Sequence, residues 1–286
     1  MRRGLLPVVG SLVVAAERPP CPRRPIRFTP RVDAFRRRVV GRRIDSVGRR
    51  GKRVMLGLED DQWIVIEPRM SGLVLLTDPP TREHLRLRLT LEGSGPRELL
   101  FWDRRGLGTV RLFHTEELAG EVDARLGVDA LEVDAIGLRD RLGASRRAIK
   151  VALLDQTRVA GIGNLYAAEI LFLAGIDPRT RCDRMTRPQW QRMAAAIPAV
   201  LHEAIRREGS TLRDGTYRNA LNDPGSYQNR HRVYDRAGIV CTRCLEGTIR
   251  RIVQAQRSTF FCPVCQLRRG QHRSVAIEIR GDSPAR

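Results

Sequence analysis

Lysine is almost absent from this chain of 286 residues. Only Lys52 and Lys150 occur, so 50 of the 52 basic residues are arginine. An arginine guanidinium stays charged in proteins, whereas a lysine amine can lose its proton and act as an acid, a base or a nucleophile. Genome composition accounts for part of the arginine bias, so the bias alone assigns no function. The two positions that keep lysine are nevertheless candidates for a chemical role.

Long hydrophobic runs are also missing, since no stretch reaches the roughly 20 apolar residues that span a bilayer. The start, Met1-Arg2-Arg3 followed by an apolar run from Leu5 to Ala16, has features of a secretory signal. Pro7 and Gly10 interrupt that run, and the paired thiols downstream suit a reducing compartment. We therefore expect a cytoplasmic protein with no membrane partner.

Acidic residues are outnumbered by 52 to 32, which gives a formal net charge of +20 and an isoelectric point near 11.2. Such a charge indicates a polyanionic partner, with nucleic acid as the first candidate. Aromatic residues make up only 5% of the chain. This scarcity disfavours an RNA-binding zinc protein, because single-stranded RNA is recognised largely by stacking on aromatic rings.

The first half of the chain is predicted to be β-rich and the second half helical. Short alternating or apolar runs divided by turn residues indicate strands that pack as a sandwich or a closed sheet. After about Glu117 the hydrophobic period changes toward 3.6. Thr186 is expected to cap the longest helix and Gly209 to end it. The predicted strands are Arg53–Leu58, Trp63–Ile66, Leu73–Leu76, Leu85–Leu91, Glu98–Trp102 and Thr109–Phe113, and the predicted helices are Glu116–Leu126, Ile136–Leu142, Arg147–Leu154, Leu165–Ala174 and Pro188–Arg207.

Four of the six cysteines form two close pairs near the C-terminus. Cys241 and Cys244 are followed, after 17 residues, by Cys262 and Cys265. This spacing predicts one structural zinc ion held by four thiolates, with no open coordination position for catalysis. The pairs are expected on a β-hairpin with strands 247–250 and 258–261. Its intervening loop is expected to carry Arg250, Arg251 and Arg257 toward a phosphate or a groove.

A glycine turn, Gly161-Ile162-Gly163-Asn164, lies between two predicted helices. We expect Asn164 to cap the second of these helices. The free N–H groups at such a helix start suit a phosphate, although most Gly-x-Gly turns merely connect helices. The turn alone therefore does not indicate a phosphate site, and it supports one only together with the other motifs of the chain.

Five motifs in one order along nearly the whole chain resemble the formamidopyrimidine-DNA glycosylase and endonuclease VIII family, and its purine-directed branch most closely. They are Arg49-Arg50-Gly51-Lys52-Arg53, Met70-Ser71-Gly72, Asp103-Arg104-Arg105, Gly161-Ile162-Gly163-Asn164-Leu165-Tyr166-Ala167 and Gln256-Arg257-Ser258-Thr259-Phe260-Phe261-Cys262. The resemblance implies an α+β protein with an N-terminal β-sandwich, a helix-two-turns-helix domain and a C-terminal zinc finger. We expect these at residues 1–116, 117–230 and 231–270, followed by a disordered tail at 271–286.

The resemblance also implies a role for each matching site residue. Lys52 matches the lysine that assists elimination at the abasic sugar, and Arg257 matches the arginine that binds phosphate and assists the second elimination. Met70 and Arg105 match the residues that fill the void left by a flipped-out nucleotide, and Leu107 stands where the family usually has Phe. By spacing alone, Met70 would be an ordinary core residue.

Four further residues are expected to contact the DNA backbone. His84, Arg146 and Asn164 match phosphate-contacting positions of the family. Lys150 lies four residues beyond Arg146, which on a continuous helix would place both on one face. For His84, an ordinary surface histidine is about equally plausible without the family match. The implied partner of all these residues is damaged double-stranded DNA.

The family's opening, Pro-Glu-Leu-Pro-Glu-Val after removal of the initiator methionine, is absent. In the family the proline amine attacks C1′ of the deoxyribose and the adjacent glutamate provides the acid–base step. The segment from Met1 to Pro7 resembles the part that follows this opening, and neither Pro7 nor Glu17 is a substitute. A misplaced start codon or a true loss explains the departure. We expect the first, because Lys52 and Arg257 serve only the elimination chemistry and are still present.

The sequence therefore predicts a monomeric base-excision repair enzyme at the bacterial nucleoid. It would excise oxidised purines such as 8-oxoguanine and formamidopyrimidines and cleave the abasic strand by β,δ-elimination. The alternative is a non-catalytic, zinc-containing DNA- or lesion-binding protein. Lesion preference stays open, although the segment Thr211–Arg230 is suited to form a loop over the flipped base.

Overall fold

The protein is described by a computed structural model that covers residues 1–211 and 217–267. The tail expected at 271–286 lies outside the described residues, as do residues 212–216 near the start of the expected loop over the base. Among the described helices, none combines the length and apolar character needed to cross a membrane.

The N-terminal half is a sandwich of two sheets, as predicted. A four-stranded sheet has the order β1-β7-β8-β6 and a five-stranded sheet has the order β2-β9-β5-β4-β3. Each of the six predicted strands is confirmed to within one residue at either end. The strands are β1 Leu12–Glu17, β2 Arg27–Thr29, β3 Ile44–Arg50, β4 Arg53–Leu58, β5 Gln62–Glu67, β6 Gly72–Leu75, β7 Leu85–Glu92, β8 Glu98–Asp103 and β9 Thr109–His114.

Apolar clusters between the sheets and on their outer faces stabilise this sandwich. The main core lies between the sheets and includes Leu56, Ile64, Leu89 and Phe101, all essentially inaccessible to solvent. The outer face of the five-stranded sheet is covered by helix α2 (Thr115–Glu121), which buries Leu118 against that face. Because β4 is therefore buried on both faces, its sequence is a nearly continuous apolar run and not an alternating one.

The first 50 residues contain elements that the hydrophobic pattern did not indicate. A 3-10 helix, Arg2–Val8, precedes β1, and helix α1 (Val32–Val39) lies between β2 and β3. Strand β1 carries a register shift between Val13 and Ala15, and β2 is only three residues long. Both features interrupt the period-2 pattern that identifies a strand. The sequence around these two strands is also rich in arginine, so neither strand was predicted.

The central part of the chain is helical, and its longest helix begins and ends as predicted. Thr186 and Gln189 form a capping box at its start, while Gly209, with φ of +84°, donates its N–H to the carbonyl of Ala204 at its end. The helices are α3 Ala135–Leu142, α4 Ile149–Ala152, α5 Asn164–Leu173 and α6 Arg187–Arg206, with a short parallel pair of β10 Val128–Asp129 and β11 Val159–Ala160.

Three local expectations for the helices are wrong. Helix α4 begins only at Ile149, so Arg146 lies before it and does not share a helix face with Lys150. The helix predicted from Glu116 ends at Glu121 and is followed by a separate 3-10 turn. Asn164 is the first residue of α5 and not its cap, since Gly163 occupies the cap position with extended backbone.

The C-terminal part forms a hairpin of β12 (Arg250–Gln254) and β13 (Arg257–Phe261). Its two-residue tip, Ala255-Gln256, has positive φ at both positions, which suits a tight hairpin turn. The prediction of a first strand at 247–250 was wrong, because Gly247 directs its N–H to the thiol of Cys244. Arg250 and Arg251 consequently lie within a strand, and Arg257 is the first residue after the turn.

One segment from beyond the helices returns to the sandwich. Ala220 is 2% exposed, packs in the sandwich core and accepts a hydrogen bond from the N–H of Leu76 at 2.7 Å. Asn222 donates its side-chain amide to the carbonyl of Asp78 at 3.0 Å. The sandwich core is therefore completed by residues more than 100 positions away in sequence.

Candidate nucleic-acid interface and metal centre

Lys52 lies where the sandwich meets the helical domain. It occupies the turn between β3 and β4, and its Nζ is 3.7 Å from the position that a Cβ on Gly163 would take. The glycine turn before α5 therefore lies directly against this amine. Lys52 is exposed to solvent at this junction.

The two lysines of the chain share one electrostatic environment. Desolvation by the surrounding protein, followed by the positive charge of Arg257, lowers the pKa of Lys52 to about 8. The same two causes, in the same order, lower the pKa of Lys150 to about 8. Arg257 from the finger hairpin is therefore brought together with lysines from the sandwich and from the helical domain.

The helical domain holds the hairpin at the residue next to Arg257. Asn164 donates its side-chain amide to the carbonyl of Ser258 at 3.0 Å, and Lys150 donates to the same carbonyl at 3.4 Å. Lys150 is fully buried, whereas Arg257 is exposed on the hairpin. This shared carbonyl fixes the position of the arginine relative to α4 and α5.

A buried carboxylate provides a second connection between the helical domain and the finger. Glu169 on α5 is inaccessible to solvent and accepts backbone N–H groups from Arg232, Val233 and Tyr234 at 2.9–3.1 Å. The guanidinium of Arg232 also pairs with Glu203 on α6 at 3.2 Å. The chain segment that leads into the finger is thus held by charge-assisted hydrogen bonds.

The expected void-filling residues are Met70, Arg105 and Leu107, and the structure places them on two adjacent loops. Met70 is 61% exposed, so it is not the core residue that spacing alone would suggest. Arg105 is also exposed, and Leu107 is half-buried. The exposure of Met70 and Arg105 is compatible with the expected insertion into a duplex.

Asp103 connects these two loops. Its carboxylate is inaccessible to solvent and accepts the hydroxyl of Ser71 at 2.6 Å, the N–H of Arg105 at 3.2 Å and the N–H of Gly108 at 2.8 Å. Ser71 adjoins Met70, and Gly108 adjoins Leu107. One side chain therefore sets the relative positions of the loops that carry Met70, Arg105 and Leu107.

His84 and Arg146, two of the expected phosphate contacts, differ in their surroundings. His84 is 7% exposed, contacts Trp102 edge-on and pairs through Nε2 with Glu83 at 2.9 Å. Desolvation lowers its pKa. Arg146 is exposed on the helical domain, and its charge acts on Asp183. The structure does not bring Arg146 into the cluster around Arg257.

The four paired cysteines lie together at the base of the hairpin. All four sulfur atoms are within 4.8 Å of one another, and the pairs Cys241–Cys265 and Cys244–Cys262 are each separated by 3.7 Å. A zinc tetrahedron with bonds of about 2.3 Å has sulfur–sulfur edges of about 3.8 Å. A Cβ on Gly247 would lie 2.8 Å from the sulfur of Cys262, so glycine leaves room for this arrangement. These thiols fit one structural zinc ion.

Ser71, Asp103 and Glu169 were not among the predicted site residues. Ser71 and Asp103 belong to two of the quoted motifs, which was the available signal. Glu169 is the single charge within α5, whose other residues are mostly apolar. An acid in a buried helix indicates a fixed polar partner, but sequence alone does not identify that partner.

Three family models match successive parts of the chain. They are the formamidopyrimidine-DNA glycosylase N-terminal domain over residues 1–110, the formamidopyrimidine-DNA glycosylase H2TH domain over residues 126–216, and the zinc finger found in FPG and IleRS over residues 238–268. Together they follow the order of sandwich, helices and finger seen in the structure.

Individual proteins resemble the chain over most of its length. A formamidopyrimidine-DNA glycosylase from Chloroflexus aurantiacus is 43% identical over 245 residues, which is 85% of this chain and 87% of the relative. Two structures of Lactococcus lactis Fpg, a mutant with DNA containing Fapy-dG and a complex with DNA containing an abasic site, each have a TM-score of 0.82 at 30% identity. Each alignment covers 93% of this chain and 97% of the other. The chain belongs to the formamidopyrimidine-DNA glycosylase family.

Proposed function

We propose that this protein is a base-excision repair enzyme that binds damaged duplex DNA, removes oxidised purines and cleaves the resulting abasic strand. The observation that carries the proposal is the convergence of Lys52, the glycine turn before Asn164, and Arg257 from three parts of the chain. Relatives with the family's name and structures of a relative with damaged DNA support the same activity. The substrates proposed here are 8-oxoguanine and formamidopyrimidines.

Lesion extrusion is assigned to Met70, Arg105 and Leu107. A glycosylase must take its target nucleotide out of the stack, and side chains that enter the vacated space offset part of the unstacking cost. Met70 and Arg105 already project into solvent, and Asp103 holds their loops in place. The void-filling residues are therefore preorganised.

Strand cleavage is assigned to Lys52 and Arg257. An amine with a pKa near 8 exchanges protons readily at cellular pH, as general acid–base catalysis requires. The guanidinium of Arg257 is exposed on the hairpin and is suited to bind the phosphate that leaves in the second elimination. We propose that this pair supports β,δ-elimination.

Three of the remaining expected residues bind the DNA backbone in this proposal. His84, Arg146 and Asn164 contact phosphates, while Lys150, also expected at the backbone but fully buried, joins Asn164 in holding the carbonyl beside Arg257. The zinc ion is structural, because all four of its ligands come from the protein. We propose that the enzyme acts as a monomer in the cytoplasm, at the bacterial nucleoid.

The test is a cleavage assay on duplexes with one 8-oxoguanine, one oxidised pyrimidine or one abasic site. It compares the chain as printed with the same chain preceded by the family's Pro-Glu-Leu-Pro-Glu-Val opening. The extended form should give a borohydride-trapped adduct, both elimination products and faster release of the purine. Lys52→Ala should abolish cleavage and leave binding in place. An extended form that binds lesions but forms no adduct would instead support the non-catalytic alternative.

A further inference from the structure

Positive charge is concentrated in one stretch near the N-terminus. Between Arg18 and Arg43 the chain has ten arginines and a single acid, Asp33. The motifs that identify the family do not include this stretch. This stretch is part of the proposed DNA interface only if it lies at the end of the sandwich that carries Lys52 and Arg105. Elsewhere it would be an ordinary solvated surface.

Register across the five-stranded sheet places Arg27 at the end that carries Lys52. Arg27, the first residue of β2, lies opposite Thr109 on β9, and Thr109 lies opposite Glu67 on β5. Glu67 in turn pairs with Arg53, the residue after Lys52, at 3.4 Å. A continuous row of side-chain positions therefore runs along this end of the sheet from Lys52 to Arg27.

The loop before β2 packs against the loop that carries Arg105 and Leu107. A Cβ on Gly106, which lies between Arg105 and Leu107, would be 2.3 Å from the carbonyl oxygen of Arg24, so only glycine permits this contact. On the other side of the loop, the thiol of Cys21 donates to the carbonyl of Glu83 at 2.9 Å. Arg23 and Arg24 are thus carried by a segment anchored beside Arg105.

Arg23, Arg24 and Arg27 differ from neighbouring arginines in their ion pairing. All three side chains are exposed, and within residues 1–211 and 217–267 none has an ion pair with a carboxylate. Nearby arginines differ in this respect, since Arg42 pairs with Asp60 and Arg49 with Asp129. Like charges gathered at one end of a domain repel each other unless an anion binds there.

We propose that Arg23, Arg24 and Arg27 form an arginine shelf that binds phosphates of the duplex beside the lesion. The inference rests on the proposed function, because its ligand is the DNA that the enzyme repairs. The shelf extends the interface from the void-filling residues along the edge of the sandwich. Since phosphates carry no lesion information, the shelf should strengthen binding to damaged and undamaged duplex alike.

The experiment compares two triple variants of the full chain. Arg23→Gln, Arg24→Gln and Arg27→Gln remove the shelf. Arg31→Gln, Arg37→Gln and Arg43→Gln remove the same charge from exposed positions that follow the opposite end of β2. Binding to a duplex with a stable abasic-site analogue and to an undamaged duplex is measured by fluorescence anisotropy between 50 and 200 mM salt, with melting curves to confirm folding.

The shelf variant should have a shallower dependence of log K on log salt, by about 0.9 for each lost phosphate contact and by nearly 3 if all three are lost. The reduction should be equal on both duplexes, and replacing the three arginines by lysine should restore the slope. The inference would be overturned if the shelf variant kept the wild-type salt dependence. It would also be overturned if the control variant showed an equally large reduction in the slope. A wild-type protein without lesion preference would contradict the proposed function, while the slopes would still decide the shelf.

Discussion

Replacing Asp103 by asparagine tests whether one carboxylate organises the void-filling residues. Both carboxylate oxygens are occupied, one by Ser71 and Arg105 and the other by the N–H of Gly108. An amide has one acceptor oxygen and one donor group in these places. In one orientation the NH2 group meets the N–H of Gly108, and in the other it meets the N–H of Arg105. The first orientation leaves the N–H of Gly108 buried and unpaired. The second leaves the buried hydroxyl of Ser71 without an acceptor, because the N–H of Arg105 keeps its bond to the Ser71 oxygen at 3.1 Å.

A buried donor without a partner costs about 1–3 kcal/mol. Since 1.4 kcal/mol corresponds to about tenfold in an equilibrium constant, the loops of Asp103→Asn should be displaced roughly 5- to 150-fold more often than in the wild type. Unfolding in urea should report a loss of this size. In the form preceded by the family's Pro-Glu-Leu-Pro-Glu-Val opening, excision of 8-oxoguanine should slow more than cleavage of a preformed abasic site, because the latter requires no base to be extruded.

The control for this variant is Asp140→Asn. Asp140 is a mostly exposed carboxylate that pairs with the neighbouring Arg139, so its loss should change neither stability nor excision appreciably. If Asp103→Asn matched the wild type in both urea midpoint and 8-oxoguanine excision, the carboxylate would not organise the void-filling residues. An equal slowing of excision and abasic-site cleavage would also contradict the reasoning.

Three further predictions concern titration and metal. Abasic-site cleavage by the form that carries the family's opening should fall as the pH rises through about 8, because Lys52 then loses the proton that its proposed role in elimination requires. A pH profile of kcat/KM that keeps this fall in Lys52→Arg would exclude Lys52 as its source. Burial lowers the pKa of His231 from 6.5 to about 4, so the unfolded chain binds a proton first and stability should fall as the pH drops through that window. The urea midpoint of His231→Gln should therefore decrease less than that of the wild type over this pH range. An unchanged pH dependence would refute the contribution of His231. Metal analysis should find one zinc per chain, and Cys262→Ser should abolish strand cleavage and expose the hairpin to proteases; cleavage without zinc would contradict a structural role for the metal.

The strands of the sandwich from β4 to β9 were predictable because their apolar runs are separated by clear turn residues. Strands β1 to β3 were not, since a register shift, a three-residue strand and many exposed arginines conceal the period. Helix α4 was predicted too long because its apolar residues continue past Ala152 into a turn. The hydrophobic pattern therefore predicted the elements whose residues alternate regularly. It failed for elements whose boundaries depend on tertiary contacts.

The candidate site was predictable only where a motif marks it. Lys52 and Arg257 were identified by resemblance, whereas their shared neighbourhood with Lys150 depends on how three parts of the chain pack together. Asp103 and Glu169 show the limit more clearly. Each accepts hydrogen bonds from backbone N–H groups. Nearly every residue has such a group, so the sequence does not show which of them a carboxylate will bind.

Ala220 has a consequence for how the protein unfolds. Because this residue fills the sandwich core and bonds to Leu76, the sandwich is incomplete without a segment that follows the longest helix. A fragment ending near residue 116 would expose the apolar surface that Ala220 covers, and a fragment beginning there would carry Ala220 without its site. We therefore expect the two regions to unfold together, and neither to behave as an independent module when the gene is divided between them.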